Sequence, residues 1–222
     1  MRSAIFKPWL VLVLIFLAGV GTGILLTVGL GPRLMHPPGV QIMKRHRDCY
    51  FYALGGDSSL APISVIITTL AAWSYEECVS HNEYDDELDL LYDVIRRMPD
   101  FIETRFELGR TLWFVWNETT IGENFAEKWN AEPARAEAFF SWHARALADI
   151  EGLANIEGLD RLMKSLGSAF GDEPARKAID AMTGNITAAR KVGALFAAPA
   201  VGLSTVPAAA ATLVRSNTFF GR

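Results

Sequence analysis

The chain is short of the residues that do covalent and metal chemistry. Its 222 residues include two cysteines, Cys49 and Cys78, and four histidines. No Cys-x-x-Cys, His-x-x-x-His or His-Glu-x-x-His spacing occurs, which removes the short signatures of a zinc site. Acidic residues are missing from positions 1–47, where six bases stand alone. Charge of either sign is missing from 9–30 and again from 192–214. No segment sustains an apolar–polar alternation bounded by turn signals, so a sheet is not expected. The glycines of "GVGTGILL" lack a following lysine and lie in an uncharged run, which excludes a phosphate loop. The serines beside Asp57 in "ALGGDSSLAP" lack the strand–turn–helix setting of a nucleophile. Asp85, Asp86 and Asp89 read as a solvated helix face. The sequence therefore predicts no enzyme, no catalytic residue and no cofactor.

What is present is apolar surface and segregated charge. Half of the residues are hydrophobic and the mean hydropathy is +0.19. Residues 9–30, "WLVLVLIFLAGVGTGILLTVGL", are uncharged over 22 positions, enough for a helix to cross a bilayer core of roughly 30 Å. A cleaved signal peptide is the alternative, but the apolar run continues past Gly23 without a small-residue cleavage site. Gly19, Gly21 and Gly23 would let a neighbouring helix approach. Bases flank the run on both sides, with Arg2 and Lys7 before it and Arg33, Lys44, Arg45 and Arg47 after it, so the flanks nearly balance. Positions 76–132 carry fifteen acids against five bases. That acidic middle would repel phosphate and argues against a nucleic-acid partner. In an oxidising compartment Cys49 and Cys78 could pair; otherwise they stand as separate thiols.

Along the chain, "GPRLMHPPGV" reads as a linker and "LGGDSS" as a turn. Pro62 opens an apolar helix. The stripe Leu88, Leu91, Val94, Ile95 and Met98 marks an amphipathic one, with Arg96 and Arg97 in its last turn and Pro99 as its stop. Asp100 and Glu103 then suit the start of another helix carrying Phe106, Leu108, Leu112, Trp113 and Trp116. "NFAEKWNAE" reads as a short helix before Pro133, and three further helices follow in the stretch up to Met182. The uncharged tail, 192–214, is long enough for a second crossing but contains Pro199 and Pro207, which lipid tolerates poorly.

Pro99 and Pro133 stand 34 residues apart, with Leu108-Gly109 central to the interval and Phe125 sixteen residues after Gly109. This spacing resembles a tetratricopeptide repeat, most closely over 92–133; Leu112, Ile121 and Lys128 depart from the family pattern. The resemblance implies stacked helical hairpins whose first helices line a concave protein-binding groove. Its members in the central unit would be Glu103, Phe106, Arg110, Trp113 and Phe114.

The expected architecture is all-α, with a transmembrane anchor at 1–31, a linker and irregular segment at 32–61, a helical domain at 62–185 and an Ala-rich tail at 186–222. The expected function is a membrane-anchored adaptor or accessory subunit binding a protein partner in a membrane complex. It would hold lipid through residues 9–30, with most of the chain on the non-cytoplasmic side, and no small-molecule ligand. Two rivals stand beside it. One is an anchored periplasmic metal sensor drawing on His36, His46, Cys49, His81 and His143 with Met35 and Met43. The other is a membrane-active protein that inserts its tail.

Overall fold

The computed structural model describes residues 38–53, 57–84, 86–156, 158–198, 202–204 and 211–214. Helix α1 (Pro38–Asp48) runs into a π-helical turn, Cys49–Ala53, and a 3-10 turn at Ser58–Leu60 leads to α2 (Ser64–His81). Helix α3 (Glu87–Arg97) and a 3-10 turn, Met98–Phe101, precede an antiparallel hairpin of β1 (Glu103–Glu107) and β2 (Arg110–Phe114). The chain returns to helix in α4 (Glu127–Ala131), α5 (Ala134–Ala154), α6 (Leu159–Phe170) and α7 (Asp172–Lys191). Strands β3 (Phe196–Ala198), β4 (Gly202–Ser204) and β5 (Thr212–Leu213) form a small antiparallel sheet in the order β4-β3-β5.

Burial follows the helical period. Helix α5 buries Ala136, Phe139, Trp142, Ala146, Ile150 and Leu153, at steps of three and four residues. Helix α3 buries Leu88, Leu91, Val94 and Ile95 against α2 and α5, capped at its start by Asp86, which accepts from the Leu88 N–H. The Phe139 ring sits among Trp129, Phe140 and Trp142 at centroid distances of 5.1, 5.4 and 5.8 Å. A fully buried phenylalanine of this kind contributes roughly 1.5–3 kcal/mol.

Helix α1 falls in the stretch expected to be an irregular linker, yet it lies in the core, with Ile42 and Met43 buried. It packs on α2, α5 and α6. His46 ties it down. The Trp142 indole N–H donates to His46 Nδ1 at 3.0 Å, so that nitrogen must accept and Nε2 carries the proton donated to Asp149 at 3.0 Å. Arg45 donates to the Phe170 carbonyl at 2.9 Å. Burial opposes ionisation of Asp149, but the hydrogen bonds from His46 and Arg145 outweigh it and hold the carboxyl below its usual range.

The helix expected after Asp100 is a β-hairpin instead. Glu107 pairs with Arg110, leaving Leu108 and Gly109 as a two-residue loop with φ of 50° and 78°. Positive φ at both positions is the turn that matches strand twist. Thr104, Phe106, Thr111, Trp113 and Phe114 are β-branched or aromatic residues that suit strands. The outer edge of β2 is completed by side chains rather than by a third strand. Asn130 accepts from the Trp113 N–H at 2.7 Å and donates to the Trp113 carbonyl, while Asn124 accepts from the Val115 N–H at 2.9 Å. Of the residues carrying the repeat resemblance, Gly109 is thus in a hairpin turn, Phe125 precedes α4, and Pro133 heads α5.

The expected fold class therefore needs correction. The described residues are mostly helical but include two small sheets, and no helix among them is long and apolar enough to cross a membrane. Neither a membrane-anchored architecture nor a single-pass location is supported. The anchor expected at 9–30 lies outside the described residues. The described part of the tail is extended, pairing Phe196 with Ser204 and with Leu213; prolines at 199 and 207 disfavour a continuous helix there. Cys49 and Cys78 are both free and buried, and burial pushes both thiols up.

Candidate functional site: an aromatic groove lined with carboxylates

Helix α2 places Trp73, Glu76 and Glu77 on one face, since residues three and four apart are neighbours on a helix. Facing them is Phe101, at the end of the 3-10 turn that follows Pro99; its ring centroid lies 6.3 Å from that of Trp73, tilted by 44°. Beyond β2 the chain turns at Asn117, whose side chain accepts from the Thr119 N–H at 2.9 Å. That turn carries Glu118 back to α2, where it accepts from the Trp73 indole N–H at 2.5 Å. The five residues line a shallow, open groove of about 400 Å³.

Three carboxylates and two aromatic rings make up this lining, and no cationic side chain contributes to it. Glu77 is paired one turn along with His81, at 3.5 Å. A phosphate would be repelled at this position. A flat ring bearing N–H donors would find an aromatic surface to stack on and carboxylate oxygens to receive its hydrogens. Glu118 locks the plane of the Trp73 indole.

The residues expected to bind a partner lie elsewhere and divide between the two faces of the hairpin. Strand register puts Glu103 opposite Phe114, and Phe106 opposite Thr111 on the other face with Trp113. Trp113 packs on Phe140 of α5 at 5.1 Å, whereas Phe106 is 76% exposed. On the first face, Arg105 lies over the Phe114 ring at 4.7 Å, and Phe114 stacks on Trp116 at 5.0 Å. Hydrogen bonds from Trp116 and Arg105 hold the Glu103 carboxyl below its ordinary range. Arg110 turns toward the Asn130 carbonyl. These side chains do not form a concave groove, because the segment is a two-sided ribbon and not a helix.

The candidate metal ligands are likewise dispersed. Both His46 ring nitrogens are occupied by Trp142 and Asp149. His143 donates to the Ile95 carbonyl at 2.6 Å, and burial pushes its pKa below the ordinary histidine value. His81 is on the surface of α2. Met35 and His36 lie outside the described residues. Among the described residues no three His, Cys, Asp or Glu side chains come together to hold a metal ion.

The chain is similar to a protein named as an enzyme. A c-di-GMP synthase of Roseivirga ehrenbergii is 28% identical over 183 residues, which is 82% of this chain and 45% of the relative. The chain thus spans less than half the length of that relative. No family model matches the chain. Similarity to a protein named as a synthase overturns two expectations, that of a membrane adaptor or accessory subunit and that of no enzymatic role. Those expectations rested on the uncharged run at 9–30, the Pro99–Pro133 interval and the lack of a short catalytic motif, and the last of these is a signal blind to chemistry assembled from distant residues.

Proposed function

We propose that this chain acts in an enzyme that handles guanine nucleotides, as a relative of a c-di-GMP synthase, and that its helical body positions the nucleotide. The observation that carries the reading is the extent of the similarity. A match of 183 residues in a chain of 222 runs through the helical body rather than along a terminal segment. The open groove beside α2 adds exposed carboxylate acceptors and aromatic surface to that body.

A cyclic dinucleotide is closed by two phosphodiester bonds, each formed when a ribose hydroxyl loses its proton and its oxygen attacks the α-phosphorus of a nucleoside triphosphate, breaking the bond to the β-phosphate and releasing pyrophosphate. Divalent cations held by carboxylates commonly serve such transfers. The described residues do not fit that role, since no three of their Asp, Glu, His or Cys side chains come together in a way that could hold a metal ion. The part assigned to them is binding and orientation, which lowers the barrier by holding reactants in register.

The test uses the full chain. GTP with magnesium or manganese is added and the products are read by mass spectrometry, while binding of GTP and of c-di-GMP is measured by calorimetry. Saturable binding of either nucleotide is the expected result, and conversion of GTP to c-di-GMP would assign the chemistry to this chain as well. Failure of both to bind up to about 1 mM, a free energy near −4 kcal/mol, overturns the proposal.

A further inference from the structure

We infer that the outer edge of β1 is a self-association surface, on which β1 of a second copy pairs antiparallel about Thr104 and joins the two hairpins into one sheet. The inference is independent of the nucleotide reading.

The hairpin leaves one of its edges open. Its two-residue loop makes Glu107 and Arg110 a hydrogen-bonded pair, and alternation makes Arg105 with Leu112 and Glu103 with Phe114 pairs of the same kind. The N–H and C=O groups of Thr104 and Phe106 therefore point away from β2. Trp113, opposite Thr104, turns its own groups outward on β2, and there side chains take them up: Asn130 accepts from the N–H, and Asn124 and Asn130 donate to the carbonyl. β1 has no such cover. Its one strand neighbour is β2 and every residue in it is exposed. Among the described residues no backbone group bonds to Thr104 or Phe106 on the outer side. Proteins commonly blunt such an edge with proline, lysine or a bulge. β1, "ETRFE", has neither proline nor lysine and pairs with β2 without a bulge.

The order of charges names the occupant. Charges on an edge discourage most neighbours, but an antiparallel copy reads the same strand backwards. Centring the twofold axis on Glu103, Arg105 or Glu107 sets that charge against itself, which is destabilising. Centring it on Phe106 calls on Leu108 to continue the ladder, and Leu108 turns away at φ 50°. Centring it on Thr104 sets each Glu103 against Arg105 of the other copy, in the closely spaced pairs where side chains interact most. Glu103 and Arg105 already pair within the strand at 2.7 Å, so the two pairs merge into one alternating cluster. Thr104 exchanges both hydrogen bonds with its own counterpart. Phe106, 76% exposed, falls opposite Ile102 of the second copy, whose backbone is already extended. The surface is thus complementary to itself, as a twofold dimer requires.

Sedimentation velocity of the full chain over a range of concentrations tests this, with a nonionic detergent present so that the uncharged run at 9–30 does not contribute. A reversible dimer is expected. Thr104→Pro removes an N–H that the hairpin does not use, at an edge position that tolerates proline. It should give a monomer with an unchanged thermal transition. Arg105→Glu should weaken the dimer at least about tenfold, and adding Glu103→Arg to it should restore association, because the swapped charges again face their opposites. In Thr104→Cys the axis brings two Cα atoms about 5.5 Å apart, within disulfide range. Oxidation should link that variant into a dimer, since Cys49 and Cys78 are buried, and should leave Thr111→Cys, on β2, unlinked. A dimer that survives Thr104→Pro, equal linking through positions 104 and 111, or a double swap as dissociated as Arg105→Glu overturns the assignment. A chain still monomeric at about 1 mM overturns it as well.

Discussion

Replacing Leu108 by asparagine should stabilise the protein, although Leu108 is apolar and the replacement is not. Leu108 holds φ at 50° as the first residue of the hairpin loop, with Gly109 at 78° beside it. For an L-residue with a bulky side chain, the left-handed region costs about 1–2 kcal/mol. Asparagine visits that region far more readily, and Asn-Gly is the preferred pair for this turn. The leucine side chain is 98% exposed, so removing it forfeits almost no packing. Relief of strain then dominates, at about 1 kcal/mol. For a chain of this length that corresponds to a rise of about 2–4 °C in the melting temperature. Urea denaturation followed by tryptophan fluorescence measures it: the midpoint should rise at constant slope. Leu108→Val, whose branched side chain suits positive φ still less, should lower the midpoint. A midpoint unchanged or lowered by Leu108→Asn would show that the loop is not strained at this residue, and the two-residue turn would be the wrong description.

Two further substitutions probe buried polar groups. Glu87 opens α3 with one carboxylate oxygen buried and unpartnered, and burial, reinforced by Asp86, pushes its pKa from 4.5 up to about 7. The folded chain therefore holds a proton that the unfolded chain releases, so its stabilising contribution is complete below pH 4.5 and lost as pH rises to 7. The full shift corresponds to about 3 kcal/mol; partial exposure and the favourable amino end of the helix reduce it to about 1–2 kcal/mol. Glu87→Gln should flatten that decline in a series of denaturation midpoints from pH 4.5 to 8, and an equally steep decline in the variant refutes the assignment. Trp142→Phe removes the donor to His46 Nδ1 and leaves a smaller ring in a site with no exposure. It should cost about 2–4 kcal/mol in equilibrium unfolding, and a loss under about 1 kcal/mol would mean that the His46 bond does not hold α1 in place.

What was legible in the chain beforehand is what local rules govern. Arg96 and Arg97 in the last turn and Pro99 as a stop mark the end of α3, and Pro133 ends the short helix α4; each acts within a turn or two of itself. The apolar stripe of α3 points to its buried face for the same reason. The stretch 103–116 was ambiguous because Phe106, Leu112, Trp113 and Trp116 satisfy a helical stripe while its β-branched and aromatic content suits strands. The choice is made by partners that sequence order hides: Asn130, seventeen residues from Trp113, and Asn124, nine from Val115, satisfy the free edge of β2. Helix α1 looked like linker because prolines precede it; its burial depends on Asp149, 103 residues away. The groove was illegible too. Trp73, Glu76 and Glu77 share a helix, but Glu118 reaches Trp73 across 45 residues. Periodicity and capping are written locally, so the sequence alone determined most of the helices. Which orphan backbone groups and which side chains would meet depends on how those helices pack, and only the tertiary structure decided the hairpin, the seating of α1 and the groove.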